Sequence, residues 1–238
     1  MVELGAGVDE DFEGRGVPVR IAASAAFMIV VLIHLVGQIF ASSSIVTEGS
    51  QVLLMPVLAA VLWTGTTSPR GRLVVMAFVA LFFSWVGDTL PRFLDGETGF
   101  AAMIAGFLIA QVFYVVAFWP YRHQSILRQP LLVIPYAVAA AVLVAICFDG
   151  AGELAVPVIL YALVIAAMAV LATGLGPVAT MGGIIFIISD ALIALRAFAG
   201  FELPGHSFWV MLTYILGQSL LISAVEAKVA VEPNPSPR

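Results

Sequence analysis

Two aspartates lie in strongly apolar stretches of the sequence, and an arginine follows each of them. Asp88 lies in FFSWVGDTLPRF, residues 82 to 93, and Asp190 lies in IIFIISDALIALRAF, residues 184 to 198. An ionised aspartate at the centre of a membrane helix costs about 2.5 to 3.5 kcal/mol, so such residues face a bundle interior and mark function. Because the arrangement occurs twice, we interpret it as a functional site rather than as two structural ion pairs.

The spacing of each arginine places it close to its aspartate along one helix. Arg92 follows Asp88 by four residues, and Arg196 follows Asp190 by six. At 1.5 Å per residue, each arginine stands about 6 to 9 Å farther along the helix axis, near the outward end of its span. Ser84 precedes Asp88 by one turn and shares its helix face.

Further polar side chains occur at helical spacing within the apolar stretches. Gln111 and Tyr114 are three residues apart, and Tyr214 and Gln218 are four apart, so each pair can present one polar edge. Hydrogen bonding between helices would explain these pairs without any chemistry. The candidate binding residues are Arg92, Arg196, Ser84, Ser189, Gln111, Tyr114, Tyr214 and Gln218.

The remaining reactive residue types do not form a recognisable site. His34 is solitary within an apolar stretch, while His123 and His206 fall on opposite sides of the predicted bundle, so no metal ligand set converges. The one lysine, Lys228, lies at a membrane edge and cannot form a Schiff base inside the bundle. We therefore expect no metal and no organic cofactor. The 10 basic residues form no cluster that would indicate a nucleic-acid partner.

The composition indicates that these residues belong to a membrane protein. Of 238 residues, 62% are hydrophobic and 11% are charged, whereas soluble domains carry roughly a quarter charged residues. A membrane helix needs about 20 apolar residues, and the pattern predicts an all-α bundle of about eight spans. The second span is short and poorly defined, which leaves seven as the alternative. The predicted spans are residues 20–40, 50–63, 72–91, 99–119, 131–148, 152–173, 177–198 and 206–227.

The two ends of the chain differ in composition from the spans. Residues 1–19 are acidic and glycine-rich and residues 228–238 are proline-rich, which predicts two disordered tails around one membrane domain, residues 20–227. Basic residues concentrate on the side that carries both termini, so the positive-inside rule predicts cytoplasmic termini. We expect an integral protein of a bacterial-type plasma membrane, and the sequence does not indicate an oligomeric state.

The two aspartate stretches belong to an apparent internal repeat. They are 102 residues apart, and the preceding spans contain Pro56 and Pro157 in similar settings, 101 residues apart. The motifs GDTL and SDAL correspond in the same way. A duplicated four-helix unit would keep both copies in the same orientation and relate them by an axis along the membrane normal. The expected fold is therefore two parallel four-helix repeats.

Five short motifs connect the chain to a known family. They are LLMPVLAA (53–60), SWVGDTL (84–90), QVFY (111–114), ISDALIAL (188–195) and YILGQSLLI (214–222). In this order, and over most of the chain from the second span to the eighth, the sequence resembles the YhhN-like lysoplasmalogenase family of integral membrane hydrolases. It departs from the family's pattern at Gln51, where a lysine is common, at Gln111, where a histidine is frequent, and at Arg196-Ala197, where an Asn-basic pair is usual.

The resemblance implies hydrolysis of the vinyl ether bond of lysoplasmalogens, which releases a fatty aldehyde and a glycerophospho-head-group alcohol. Vinyl ether hydrolysis needs one protonated carboxylic acid and one carboxylate, and two carboxyl groups in one low-dielectric pocket can share a proton. We therefore expect Asp88 and Asp190 to be the acid and the base, in either order. Arg92 and Arg196 would hold the lipid phosphate, and the other polar candidates would position water or substrate. The expected partners are a lysophospholipid substrate and membrane lipid.

Two other functions remain open from the sequence. Proton-coupled transporters also combine duplicated bundles with paired carboxylates inside the membrane. Alternatively, a non-catalytic lipid-binding protein would use the aspartates and arginines only for structure. The motif order favours the hydrolase, while the head group and chain of the substrate stay open.

Overall fold

The computed structural model describes residues 7–231, with side chains described from residue 17 onward. These residues form eight α-helices joined by short loops and 3₁₀ turns, and no strand occurs among them. The all-α polytopic class is therefore confirmed. The helices are α1 (Gly7–Phe40), α2 (Ile45–Gly65), α3 (Arg72–Thr89), α4 (Gly96–Phe118), α5 (Pro130–Ala151), α6 (Ala155–Ala172), α7 (Pro177–Ala199) and α8 (His206–Val231).

Seven continuous helical segments of the described chain are long and apolar enough to cross a membrane. The longest, Pro130–Leu175, has 46 residues. As one straight helix it would reach about 69 Å, more than twice the hydrocarbon thickness of about 30 Å. It instead turns at Gly152, whose φ is +50°, and α5 and α6 pack against each other as a hairpin. The segment thus supplies two of the eight helices.

Three helix ends lie four or more residues from the ends of the predicted spans. Helix α1 begins at Gly7, inside the segment predicted as a tail, and α8 continues to Val231. Once a helix is nucleated, each further residue adds a hydrogen bond at little cost, so helices extend beyond the apolar stretch. Residues 1–6 and 232–238, where tails are also predicted, lie outside the described residues. Helix α2 begins five residues before the predicted span because Ser44 caps it, accepting a hydrogen bond from the Thr47 amide at 3.2 Å.

Close helix pairs carry the two aspartates. Helix α3 packs extensively on α4, and α7 packs extensively on α8. Glycines permit both contacts: a Cβ at Gly106 would lie 2.8 Å from the Cα of Gly87, and one at Gly217 would lie 3.0 Å from the Phe186 amide nitrogen. Small residues at such crossings let membrane helices approach closely. Asp88 follows Gly87 directly, so this packing fixes where its side chain lies.

The helix contacts support the predicted repeat in part. Helix α2 packs on α3 as α6 packs on α7, and the contact of α4 with α6 has a smaller counterpart between α8 and α2. Helix α5 also packs on α7. The equivalent pair in the first half, α1 and α3, makes no extensive contact within the described chain. The two halves therefore share their central packing and differ at their first helix.

Candidate active site

A cavity of about 720 Å³ opens between the helices, and both aspartates line it. We call it the polar chamber; its main polar lining residues are Gln51, Asp88, Asp190, Arg196, His206 and Tyr214. Asp88 is buried, with 7% of its surface exposed, whereas Asp190 is partly buried. The two carboxyl groups, 102 residues apart in the sequence, therefore face one shared space.

Asp88 is held from two neighbouring helices. Tyr214 of α8 donates a hydrogen bond to Asp88 Oδ2 at 2.7 Å, and Gln51 of α2 donates to Oδ1 through Nε2 at 3.2 Å. Gln51 in turn accepts a hydrogen bond from Arg92 through Oε1 at 2.7 Å. Arg92 also lies 3.6 Å from Glu48. Among the described residues, hydrogen bonds thus connect the Arg92 guanidinium to Asp88 through the Gln51 amide.

Asp190 is held by one tyrosine. Tyr161 of α6 donates a hydrogen bond to Asp190 Oδ2 at 2.5 Å. Within the described chain, Asp190 Oδ1 accepts no hydrogen bond. The neighbouring Ser189 donates to the Val210 carbonyl at 3.0 Å and so ties α7 to α8. The two carboxyl groups therefore have unequal surroundings, with two donors at Asp88 and one at Asp190.

Neither aspartate forms an ion pair with its following arginine among the residues that the structure describes. Arg92 pairs with Glu48, and Arg196 pairs with Glu202 at 3.3 Å. Arg196 lies in the last turn of α7, but α3 ends at Thr89 and Arg92 lies in the 3₁₀ turn that follows, so Arg92 does not share one helix with Asp88 as its spacing predicts. The simple Asp-Arg ion pair, which the spacing allows, is therefore not what neutralises these carboxyl groups.

A second hydrogen-bonded group lies beside Asp88. Tyr114 of α4 donates to Gln218 Oε1 at 2.6 Å, and Gln218 Nε2 donates to Ser84 Oγ at 2.9 Å. All three side chains are buried, and they join α3, α4 and α8. Gln111 is equally buried, but neither its amide oxygen nor its amide nitrogen has a hydrogen-bond partner in the described part of the chain. Of the predicted polar candidates, Gln111 is thus not joined to this group.

An apolar cavity of about 150 Å³ lies between α4, α5, α6 and α7. We call it the apolar slot; it is lined by small and aliphatic side chains such as Ala140, Leu143, Ala166 and Ala194. Tyr161 and Asp190 are its polar lining residues together with Tyr136. Asp190, Met103 and Phe107 line both the slot and the polar chamber, so the two spaces meet at Asp190.

Three residues of the site were not among the candidates from the sequence. Gln51 stood out only as a departure from the family pattern, and Tyr161 lies in an apolar run with no polar neighbour at helical spacing. The sequence raises His206 only as a candidate metal ligand. Within the described residues, no group of three His, Cys, Asp or Glu side chains could hold a metal ion. His206 instead lines the polar chamber, as the two aspartates do.

The fold and the site define an all-α polytopic membrane protein with two carboxyl groups in one polar chamber. One of them, Asp190, lies where this chamber meets an apolar slot. The chain belongs to the YhhN family, whose family model matches residues 46–225. The match covers both aspartates, and it confirms the family resemblance read from the ordered motifs. No significant match was found among curated proteins or among solved structures.

Proposed function

We propose that this protein is a membrane hydrolase that cleaves the vinyl ether bond of lysoplasmalogen-type lysophospholipids. The products would be a fatty aldehyde and a glycerophospho-head-group alcohol. The observation that carries the proposal is the shared chamber: Asp88 and Asp190 both line it, and each accepts a hydrogen bond from a tyrosine on another helix. Family membership supports the same class of protein.

The chemistry requires one proton donor and one carboxylate. The acid protonates the β-carbon of the vinyl ether, and the resulting oxocarbenium ion is captured by water, whose proton passes to the carboxylate. The hemiacetal then collapses to the aldehyde and the alcohol, so the net reaction consumes one water. General acid or base catalysis by one positioned carboxyl group accelerates a reaction by about 10²- to 10⁴-fold.

The unequal surroundings of the aspartates support an assignment of these roles. Both oxygens of Asp88 accept hydrogen bonds, which suits a carboxylate that stabilises a cation and takes a proton from water. Asp190 keeps one oxygen without a donor in the described chain, so that oxygen can carry the acidic proton. We therefore assign Asp190 as the general acid and Asp88 as the base.

The two cavities support an orientation for the substrate. A lysolipid has one hydrocarbon chain, and the apolar slot would receive it between α4, α5, α6 and α7. The β-carbon is the first vinyl carbon after the chain, so it would lie where the slot meets the chamber, beside Asp190. The glycerol and head group would then occupy the polar chamber. This order matches the assignment of Asp190 as the acid.

A proton-coupled transporter is the alternative that paired buried carboxyl groups leave open. Its usual cue is a helix broken near the middle at matching positions of the two halves. Pro56 lies inside the continuous helix α2, and Pro157 lies in the first turn of α6. Neither proline interrupts its helix in mid-span, which makes this alternative less favoured than the hydrolase.

Aldehyde release by the purified protein in detergent tests the proposal. The substrate would be a 1-alkenyl lysophospholipid, with matched 1-acyl and 1-alkyl lysophospholipids as controls. We expect equal amounts of aldehyde and glycerophospho alcohol from the alkenyl lipid and no turnover of the controls. A well-folded protein that releases no aldehyde, but moves protons across liposome membranes when substrate is added, would instead support the transporter.

A further inference from the structure

The polar chamber reaches the N-terminus of α8. His206 is the first residue of this 26-residue helix, and both His206 and Ser207 line the chamber. The first backbone N–H groups of a helix have no partner within the helix, and the helix dipole adds partial positive charge there. Phosphate groups bind at such positions. This end of the chamber thus has the backbone geometry of an anion site.

The His206 side chain provides a second, independent indication of a ligand. It is buried, with 4% of its surface exposed. Its Nδ1 accepts a hydrogen bond from the Leu203 amide at 3.3 Å, so the ring proton of the neutral imidazole is on Nε2. In the described part of the chain, Nε2 has no hydrogen-bond partner. A buried donor left without an acceptor is costly, and a bound ligand oxygen would satisfy it.

Arg196 supplies the positive charge. It is the only arginine among the described residues that line the chamber. Its Nη2 lies 3.3 Å from Glu202 Oε1, and this ion pair restrains the side chain. Arg92 does not line the chamber; its guanidinium donates to Gln51, which does. The two carboxyl groups of the chamber, Asp88 and Asp190, would repel an anion placed close to them.

The spacing along the helices separates the anion site from those carboxyl groups. Arg196 follows Asp190 by six residues on α7, and His206 precedes Tyr214, the partner of Asp88, by eight residues on α8. These separations correspond to about 9 and 12 Å along the helix axes. With the reach of the side chains, this is the scale of one glycerol unit between a vinyl ether and a phosphate.

We propose that His206, the first turn of α8 and Arg196 form the binding site for the phosphate of the lysolipid head group. The identity of the ligand rests on the proposed function. His206 donates to a phosphate oxygen through Nε2, and the Arg196 guanidinium pairs with the phosphate charge. Arg92, which the sequence suggested for this role, instead supports Asp88 through Gln51.

Two substitutions at His206 distinguish the roles of its two ring nitrogens. In His206→Asn, the side-chain oxygen can still accept from the Leu203 amide, but no donor reaches the position of Nε2. In His206→Gln, the longer amide returns a donor close to that position. Arg196→Gln tests the charge separately. His123→Asn is the matched control, because His123 is exposed in the loop after α4.

The measurement is the dissociation constant, by isothermal titration in detergent, for three probes. They are a 1-O-alkyl lysophospholipid, which lacks the reactive double bond, a 1-O-alkylglycerol, which lacks the phosphate, and inorganic phosphate. For His206→Asn and Arg196→Gln we expect about tenfold to a hundredfold weaker binding of the lysophospholipid and unchanged binding of the alkylglycerol. His206→Gln should recover most of the affinity, and His123→Asn should bind as the wild type does.

The other outcomes are equally informative. Folded His206→Asn that binds the lysophospholipid as tightly as the wild type would overturn the proposal, as would an equal loss for the alkylglycerol. Tight binding of inorganic phosphate alone would overturn the lipid assignment. If the wild type releases no aldehyde but shows the expected phosphate-dependent losses, the proposed reaction fails while the phosphate site stands.

Discussion

Tyr214 of α8 donates a hydrogen bond of 2.7 Å to Asp88 of α3, although 126 residues separate them in the chain. Tyr161 of α6 makes the corresponding contact with Asp190 of α7, 29 residues later. Each carboxyl group is therefore oriented by a hydroxyl from a different helix. The geometry of the site depends on how these four helices pack, not on any local motif.

Removing either hydroxyl should impair turnover. Tyr214→Phe leaves Asp88 with the Gln51 donor alone, and Tyr161→Phe removes the one donor to Asp190 among the described residues. We expect kcat to fall about tenfold to a hundredfold in each. The measurement is the steady-state rate of aldehyde release, with thermal unfolding to verify folding. Tyr114→Phe removes a similar hydrogen bond, to Gln218, and should lower kcat less. A larger loss in Tyr114→Phe than in Tyr214→Phe would contradict the roles given to these tyrosines.

Arg92 should act through Gln51. Arg92 donates to the Gln51 amide oxygen, and the Gln51 amide nitrogen donates to Asp88. In a double-mutant cycle of Arg92→Leu and Gln51→Leu, we expect the double variant to lose no more activity than Gln51→Leu alone, because both changes break one connection. The main effect should be on kcat.

The same cycle also tests a direct role of Arg92 in binding phosphate. That role predicts additive losses and a raised KM for the lysophospholipid in Arg92→Leu. Additive losses of this kind would show that the structural connection through Gln51 does not describe how Arg92 functions.

Narrowing the apolar slot should shift the chain-length preference. Ala166 of α6 lines the slot, and Ala166→Phe would fill part of its length. We expect kcat/KM to fall for long alkenyl chains and to change little for short ones. Leu163→Phe is the matched control, because Leu163 lies on the same helix with 60% of its surface exposed. Equal losses for every chain length would indicate general damage rather than a chain-binding slot.

The crossing of α3 and α4 should tolerate no additional methyl group. A Cβ at Gly106 would lie 2.8 Å from backbone atoms of Gly87, so Gly106→Ala should destabilise the protein by about 1 to 3 kcal/mol. It should also slow aldehyde release by displacing Asp88. A Cβ at Gly49 of α2 would meet nothing within 4 Å, and Gly49→Ala should stabilise by up to about 1 kcal/mol. Thermal unfolding in detergent compares the two, and equal melting temperatures would contradict the close packing.

Much of the fold could be predicted because membrane helices are recognisable from their apolar composition. Long apolar stretches must become helices in lipid, since every backbone group needs an internal partner. The eight predicted spans therefore correspond to α1 through α8. Their ends could not be predicted as well. The start of α2 depends on the Ser44 cap, and α1 and α8 continue past their apolar segments.

The site could be predicted only where a residue is unusual for its surroundings. Asp88 and Asp190 stand out because charge is rare inside a membrane segment. Tyr161 does not stand out, since a tyrosine in an apolar run is common, and its contact with Asp190 arises from the packing of α6 on α7. His206 becomes informative only when the chamber wall and the unpartnered Nε2 are seen together.

Aldehyde release in D₂O by the wild type, Asp88→Asn and Asp190→Asn tests the central claim most directly. If an aspartate protonates the β-carbon, rapid borohydride reduction of the product should trap one deuterium on the carbon next to the former aldehyde carbon. Both variants should fold normally and release aldehyde at least about a hundredfold more slowly. Product without that deuterium, or full turnover by either folded variant, would contradict catalysis by the two carboxyl groups.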